Sequence, residues 1–116
     1  SQINESTTQM IQTIRIARER AVARANDSAH GVYFDTAAKK YILYQGSSWG
    51  DVGKVIIRET TLENVLSLTV GLDPNDLNFS KGLGAPNQTG NIILTHTAGG
   101  TKTININSFG KTELTP

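Results

Sequence analysis

Four arginines stand close together near the start of the chain: Arg15, Arg18, Arg20 and Arg24. Glu19 is the only acid between Met10 and Ala25. A guanidinium offers a planar fork of donors that fits a carboxylate or a phosphate. Such a cluster therefore suits contact with an acidic patch on another protein chain, or with a nucleic-acid backbone. Unengaged, it is a solvated face. At helical spacing Arg20 and Arg24 share a face, with Arg15 at its border. Arg18 falls among the apolar positions. From there its stem snorkels, or its head pairs with a carboxylate or sheet carbonyls.

Other residues carry weaker signals. His30 and His96 are the only histidines, and neither belongs to a ligand spacing such as His-x-x-x-His. Both read as turn or edge residues. Ser, His and Asp are all present, but no nucleophile-elbow pattern organises them, so no catalysis is expected. The run Asp73-Pro74-Asn75-Asp76-Leu77-Asn78 offers oxygens in what reads as a turn. Leu77 breaks the alternation a calcium loop needs, and the glycine is absent. Gly82-Leu83-Gly84-Ala85-Pro86 opens no helix and so makes a poor phosphate cradle. There is no cysteine, which removes disulfides, thiolate metal sites and thiol nucleophiles. No metal or cofactor is expected. Trp49 with Tyr33, Tyr41 and Tyr44 suggests aromatic stacking on a sugar or peptide.

The elements that must position these residues are an opening helix and a train of strands. From Glu5 to Asn26 there is neither Gly nor Pro. Met10, Ile11, Ile14, Ala17, Ala21, Val22 and Ala25 form one apolar arc at a period of 3.6. The helix is predicted from near Asn4 to near Asn26, ended by Asn26-Asp27-Ser28 and Gly31. Strands are predicted at 30–35 and 40–45 as a hairpin, then at 54–60, 65–70, 78–80, 91–96, 102–107 and 111–114. Thr103-Ile104-Asn105-Ile106-Asn107 alternates strictly, which turns Ile104 and Ile106 toward a core. The expected fold is α+β, one long N-terminal helix laid on antiparallel sheet. Ile14, Ala17, Ala21, Ala25, Val32, Phe34, Ile42, Leu94, Ile104 and Ile106 are the expected core. The 116 residues read as one domain, with the helix at 1–27 and the β-rich part at 30–116. No segment approaches 18 consecutive apolar residues. The lone helix reads as the continuation of a longer spine, in a chain that starts partway through a larger protein.

Net charge is +1, so no bulk field draws the chain to nucleic acid or anionic lipid. From Tyr41 onward there are five Lys and Arg against six Asp and Glu. The excess of positive charge lies on the helix.

Several phrases, in order, resemble the GspH/FimT-type minor pilins and pseudopilins of type IV pili and type II secretion systems. Ile14-Arg15-Ile16-Ala17-Arg18-Glu19-Arg20-Ala21 resembles that group's l-x-x-A-R-x-E-A segment. Ala17, Arg18 and Ala21 match, and the acid is shifted by one position. Thr61-Leu62-Glu63-Asn64-Val65 resembles its T-L-P-x-x-V entry to a strand, with Glu63 in place of Pro. Asn78-Phe79-Ser80-Lys81-Gly82-Leu83-Gly84 resembles its x-F-S-x-x-G turn. Gly90-Asn91-Ile92-Ile93-Leu94 and Ile104 to Lys111 resemble its closing hairpin and final glycine. The group's leader-cleavage site and apolar helix are not in this sequence, and Glu5 is not the glutamate near the start of mature pilins.

The resemblance implies a pilin-like fold and a structural, methylated bacterial subunit rather than an enzyme. It implies an inner-membrane helix upstream, cut by a prepilin peptidase, and later residence in a pilus or pseudopilus in the periplasm or at the cell surface. Its partners would be other pilins or pseudopilins of the same filament, with Arg15 and Arg18 as contact residues. Some members take up DNA, which would make Arg15, Arg20, Arg24 and Lys111 phosphate contacts. The tail at 111–116 holds one base, Lys111, and one acid, Glu113, and little duplex affinity is expected. The remaining alternative is a stand-alone β-rich ligand-binding module.

Overall fold

The computed structural model describes residues 1–115. Pro116, the last residue of the tail and of the 30–116 β-rich span, lies outside them. Helix α1 runs Gln2–Val22, about 32 Å at 1.5 Å per residue. The Ser1 hydroxyl accepts from the Asn4 N–H at 3.4 Å at its start. Its buried side is Thr7, Met10, Thr13, Ile14, Ala17 and Ala21. The two threonines sit in this face because each hydroxyl donates back to a helix carbonyl, of Ile3 and Gln9.

The helix stops four residues short of Asn26. Ala23 is its cap, and Arg24 turns left-handed at φ 56°. A short 3-10 turn, Ala25–Asp27, follows. The reason is tertiary. The Ala21 carbonyl accepts from Arg24 N–H and also from Gly82 N–H, so the 81–85 loop closes the helix end. Asn26 and Asp27, types that tolerate positive φ, carry the turn onward. Ala25 is therefore only half-buried, and Val22 is 42% exposed. The rest of the expected core is buried.

Eight strands follow among the described residues: β1 His30–Asp35, β2 Lys40–Gln45, β3 Val55–Thr61, β4 Leu66–Val70, β5 Asp76–Phe79, β6 Gly90–His96, β7 Thr101–Ile106 and β8 Thr112–Thr115. They form two four-stranded antiparallel sheets, in the orders β3-β2-β1-β5 and β4-β6-β7-β8. The helix packs on both. Met10, Ile14, Ala17 and Ala21 join Val32, Phe34, Leu43 and Phe79 of the first sheet and Ile92, Leu94, Ile104 and Ile106 of the second in one core. Small side chains at Ala17 and Ala21 let the sheets come close. No helix among the described residues is long and apolar enough to cross a membrane.

The segment 73–78 differs from the expected turn. Asp76–Phe79 is a fully buried strand beside β1. Its polar side chains find partners far away in the chain, which local composition does not reveal. Tyr44 Oη donates to Asp76 Oδ1, and the Trp49 N–H donates to Asp76 Oδ2 at 3.0 Å. Asn78 Nδ2 donates to Tyr44 Oη at 2.9 Å and to the Gly46 carbonyl at 3.0 Å. Burial and the Asp76 carboxylate push the Tyr44 phenol well above its ordinary value, so it stays a donor.

Candidate functional site

Arg15 and Arg18 leave one flank of α1 and meet Lys111, at the turn before β8. A cleft of about 310 Å³ lies between them, lined by Arg15, Arg18, Glu19, Gly110, Lys111 and Thr112. Three cations face one carboxylate. Arg18 Nε donates to the Gly84 carbonyl at 3.2 Å, which is the carbonyl pairing expected of an arginine at the apolar border, made with a loop instead of a sheet. Arg15 and the Lys111 ammonium have no ion-pair or hydrogen-bond partner among the described residues; the two salt bridges there are Lys40–Glu59 and Lys81–Asp27.

Glycine shapes the cleft. Gly110 has φ 76°. A Cβ there would stand 3.0 Å from both Arg18 Nε and the Gly84 carbonyl. Gly84, at φ 65°, lies so close to Val22 that a Cβ would clash with it. The 81–85 loop, which reads poorly as a phosphate cradle, is instead what brings the cleft wall against the helix.

Next to this cleft is a second, larger hollow of about 530 Å³, lined by Arg18, Leu83, Gly84, Ala85, Ser108, Phe109 and Lys111. Leu83 is 81% exposed and Phe109 74%. The two hollows share Arg18 and Lys111. Periodicity could not find this second half, because Leu83 and Phe109 sit in loops outside any periodic pattern.

The other two arginines go elsewhere. Arg20 lies on the opposite flank of α1, near enough to His30 for its charge to act on that ring. Arg24 is past the helix end, over Gly82. The helical face expected for Arg20 and Arg24 therefore does not form, and the set Arg15, Arg20, Arg24 and Lys111 is split around the helix.

His30 is not a turn or edge residue. It opens β1, an inner strand, and is fully buried. Its Nδ1 lies 3.1 Å from the Ser28 carbonyl, an acceptor only, so Nδ1 carries the proton. Nε2 is left without a partner. Burial first, and the Arg20 charge second, hold this imidazole below its ordinary value. His96 closes β6, half-buried at the turn into β7: its Nδ1 accepts from the Ala98 N–H, and its Nε2 donates to Gln2 Oε1 at 3.1 Å. Neither ring is hydrogen-bonded to a side-chain hydroxyl among the described residues. No group of three or more His, Asp or Glu side chains among the described residues is placed to hold a metal.

The aromatic set is already occupied. Tyr33 stacks on Trp49 with centroids 4.4 Å apart and planes 5° apart, Tyr44 meets it edge-on, and the Lys54 ammonium lies 4.7 Å from its ring centroid. Tyr41 belongs to the core beneath the helix. Little open ring is left for a sugar.

The geometry of helix and paired sheets matches solved structures along nearly its whole length. The minor pseudopilin EpsH from the Type 2 Secretion System of Vibrio cholerae superposes with a TM-score of 0.79, covering 99% of this chain and 97% of that one at 16% identity. The fold is that of the minor pilins and pseudopilins. The type IV minor pilin FimU of Pseudomonas aeruginosa gives a TM-score of 0.78, with 98% of this chain and 88% of that one covered at 15% identity. A second EpsH structure gives 0.69 at 15% identity, covering 97% and 92%. No family model matches the sequence, and no curated protein does. The minor-pilin likeness is thus one of backbone, carried by few shared residues.

Proposed function

We propose that this chain is a structural, non-catalytic subunit of a type IV pilus or a type II secretion pseudopilus. The observation that carries the reading is the minor-pilin fold, which spans 99% of the chain at a TM-score of 0.79. A filament subunit needs a helix to pack in the filament core and a domain face for its neighbours. Here the helix lies across both sheets, and its Arg15–Arg18 flank opens on a cleft where three cations face the single carboxylate of Glu19. In the intact protein an apolar segment would precede Ser1, anchor the subunit in the bacterial inner membrane before assembly, and then enter the filament. The sheets would face the periplasm or the cell surface. The work of such a subunit is assembly and contact with other pilins, and it uses no cofactor.

The upstream native sequence tests this. The expected result is an apolar stretch of about 20 residues directly before Ser1, behind a short basic leader. A native protein without it would end the filament reading.

A further inference from the structure

The two hollows beside Arg18 differ in chemistry and share a wall. The smaller one presents Arg15, Arg18 and Lys111 against Glu19 alone. The larger one is flanked by Leu83 and Phe109, apolar side chains that stand mostly in solvent. Exposed apolar side chains beside cations, two of which (Arg15 and Lys111) have no partner among the described residues, are how a protein interface is built: an aromatic or aliphatic anchor at its centre, and charges that select the partner. Gly84 and Gly110 hold the loops against Arg18, so the groove exists before anything enters it. A preformed groove lowers the ordering cost of association.

We propose that this groove seats a segment of a different subunit of the same filament, one in which an acidic side chain lies next to a large apolar one. The proposal rests on the filament reading above and adds the partner's chemistry to it. The carboxylate enters between Arg15 and Lys111, where the planar guanidinium of Arg15 can hold both of its oxygens. The apolar neighbour fills the hollow between Leu83 and Phe109. Charge complementarity selects the acid, and the paired apolar hollow selects a protein segment over a bare phosphate chain.

A second copy of this chain fits less well. Among the described residues, the acids that adjoin an exposed large apolar residue in sequence are Asp51, half-buried beside Val52, and Glu113, exposed beside Leu114. The Asp51 carboxylate already accepts from the Ser47 N–H and hydroxyl and from the Gly53 N–H, which holds it below its ordinary value. Glu113 Oε1 accepts from Asn107. Neither carboxylate, Asp51 in its loop or Glu113 on β8, gives up its present hydrogen bonds without cost.

The test uses the full native gene in the cells that assemble the filament. A photo-crosslinking benzoylphenylalanine replaces Phe109, and in a separate strain replaces Ile56, an exposed residue of edge strand β3. Crosslinked products are identified by mass spectrometry. The expected result is a product from position 109 joined to another filament subunit, close to an Asp or Glu. That product should fall roughly tenfold in an Arg15→Glu/Lys111→Glu variant and return when the partner's acid is changed to Lys. Both substituted residues are exposed, and an unchanged thermal midpoint would confirm that the variant folds. Filaments that contain the chain but give no product from 109, a product joining two copies of it, or a product indifferent to the charge reversal would overturn the groove proposal and leave the filament reading standing. A chain that never enters filaments, from either strain or unmodified, would overturn both.

Discussion

The Nε of Arg18 donates to the carbonyl of Gly84 across 3.2 Å, joining the middle of the helix to the loop that closes its end. That bond fixes the wall shared by the two hollows. It needs the loop backbone at the helix surface, which only a residue without Cβ permits.

Gly110 supplies a direct test of that packing. Gly110→Ala forces a Cβ to 3.0 Å from Arg18 Nε and the Gly84 carbonyl at a φ of 76°. The expected loss of stability is about 1–3 kcal/mol, read as a lower urea midpoint at unchanged slope. Wild-type stability in this variant would mean that the loops do not meet the helix as described.

The buried strand β5 predicts a larger effect. Asp76→Ala removes the acceptor of both the Tyr44 hydroxyl and the Trp49 N–H. Two donors are then left in or near the protein interior, and the expected cost is about 2–5 kcal/mol. Chemical denaturation of Asp76→Ala and Asp76→Asn measures it, with the asparagine variant expected between wild type and alanine. A neutral Asp76→Ala would return this segment to the solvated turn that its composition suggests.

His30 should make stability fall as the pH drops below its ordinary value. Its folded value is depressed, so below its ordinary 6.5 the unfolded chain binds more protons than the folded one. The contribution is fully present above pH 6.5 and is lost as the pH falls from there through the folded value. The slope should approach, at most, about 1.4 kcal/mol per pH unit. Asp27 and Asp51, whose ordinary value is 3.8 and whose shifts are downward, lose their contributions only in more acidic solution. Unfolding midpoints of wild type and His30→Gln between pH 7.5 and 5 separate the two windows. An equally steep profile in the variant would assign the effect to another group.

Duplex DNA should bind weakly. Arg15 and Lys111 share a cleft, whereas Arg20 stands beside His30 and Arg24 over Gly82. At about −0.9 of log–log salt slope per phosphate contact, so few aligned cations give salt-labile binding. A mobility shift at low salt and at about 150 mM salt checks this. Retention at the higher salt that falls in Arg20→Ala/Arg24→Ala would favour DNA uptake instead.

How much was legible follows the range of the forces involved. The helix stripe at Ile14, Ala17 and Ala21 and the alternation through Ile104 and Ile106 are local patterns, and both face the core. Only the second half of strand β5 is legible, as the brief strand at 78–80; its first half reads as a turn, because Asp76 and Asn78 are satisfied by Tyr44, Trp49 and Gly46, which local sequence does not bring together. The helix end was placed too late for the same kind of reason: Gly82 caps Ala21 from a distant loop. Arg15 and Arg18 were visible as a cluster. That Lys111 would join these two and not Arg20 or Arg24 depends on which flank of the helix faces β8, and that is decided by the packing of both sheets.

Filament incorporation tests the central claim most directly. Filaments sheared or purified from cells carrying the full native gene should contain this chain by mass spectrometry, and should lose it when the prepilin peptidase is inactivated. A chain absent from filaments that are otherwise assembled, and unaffected by loss of the peptidase, would contradict the account.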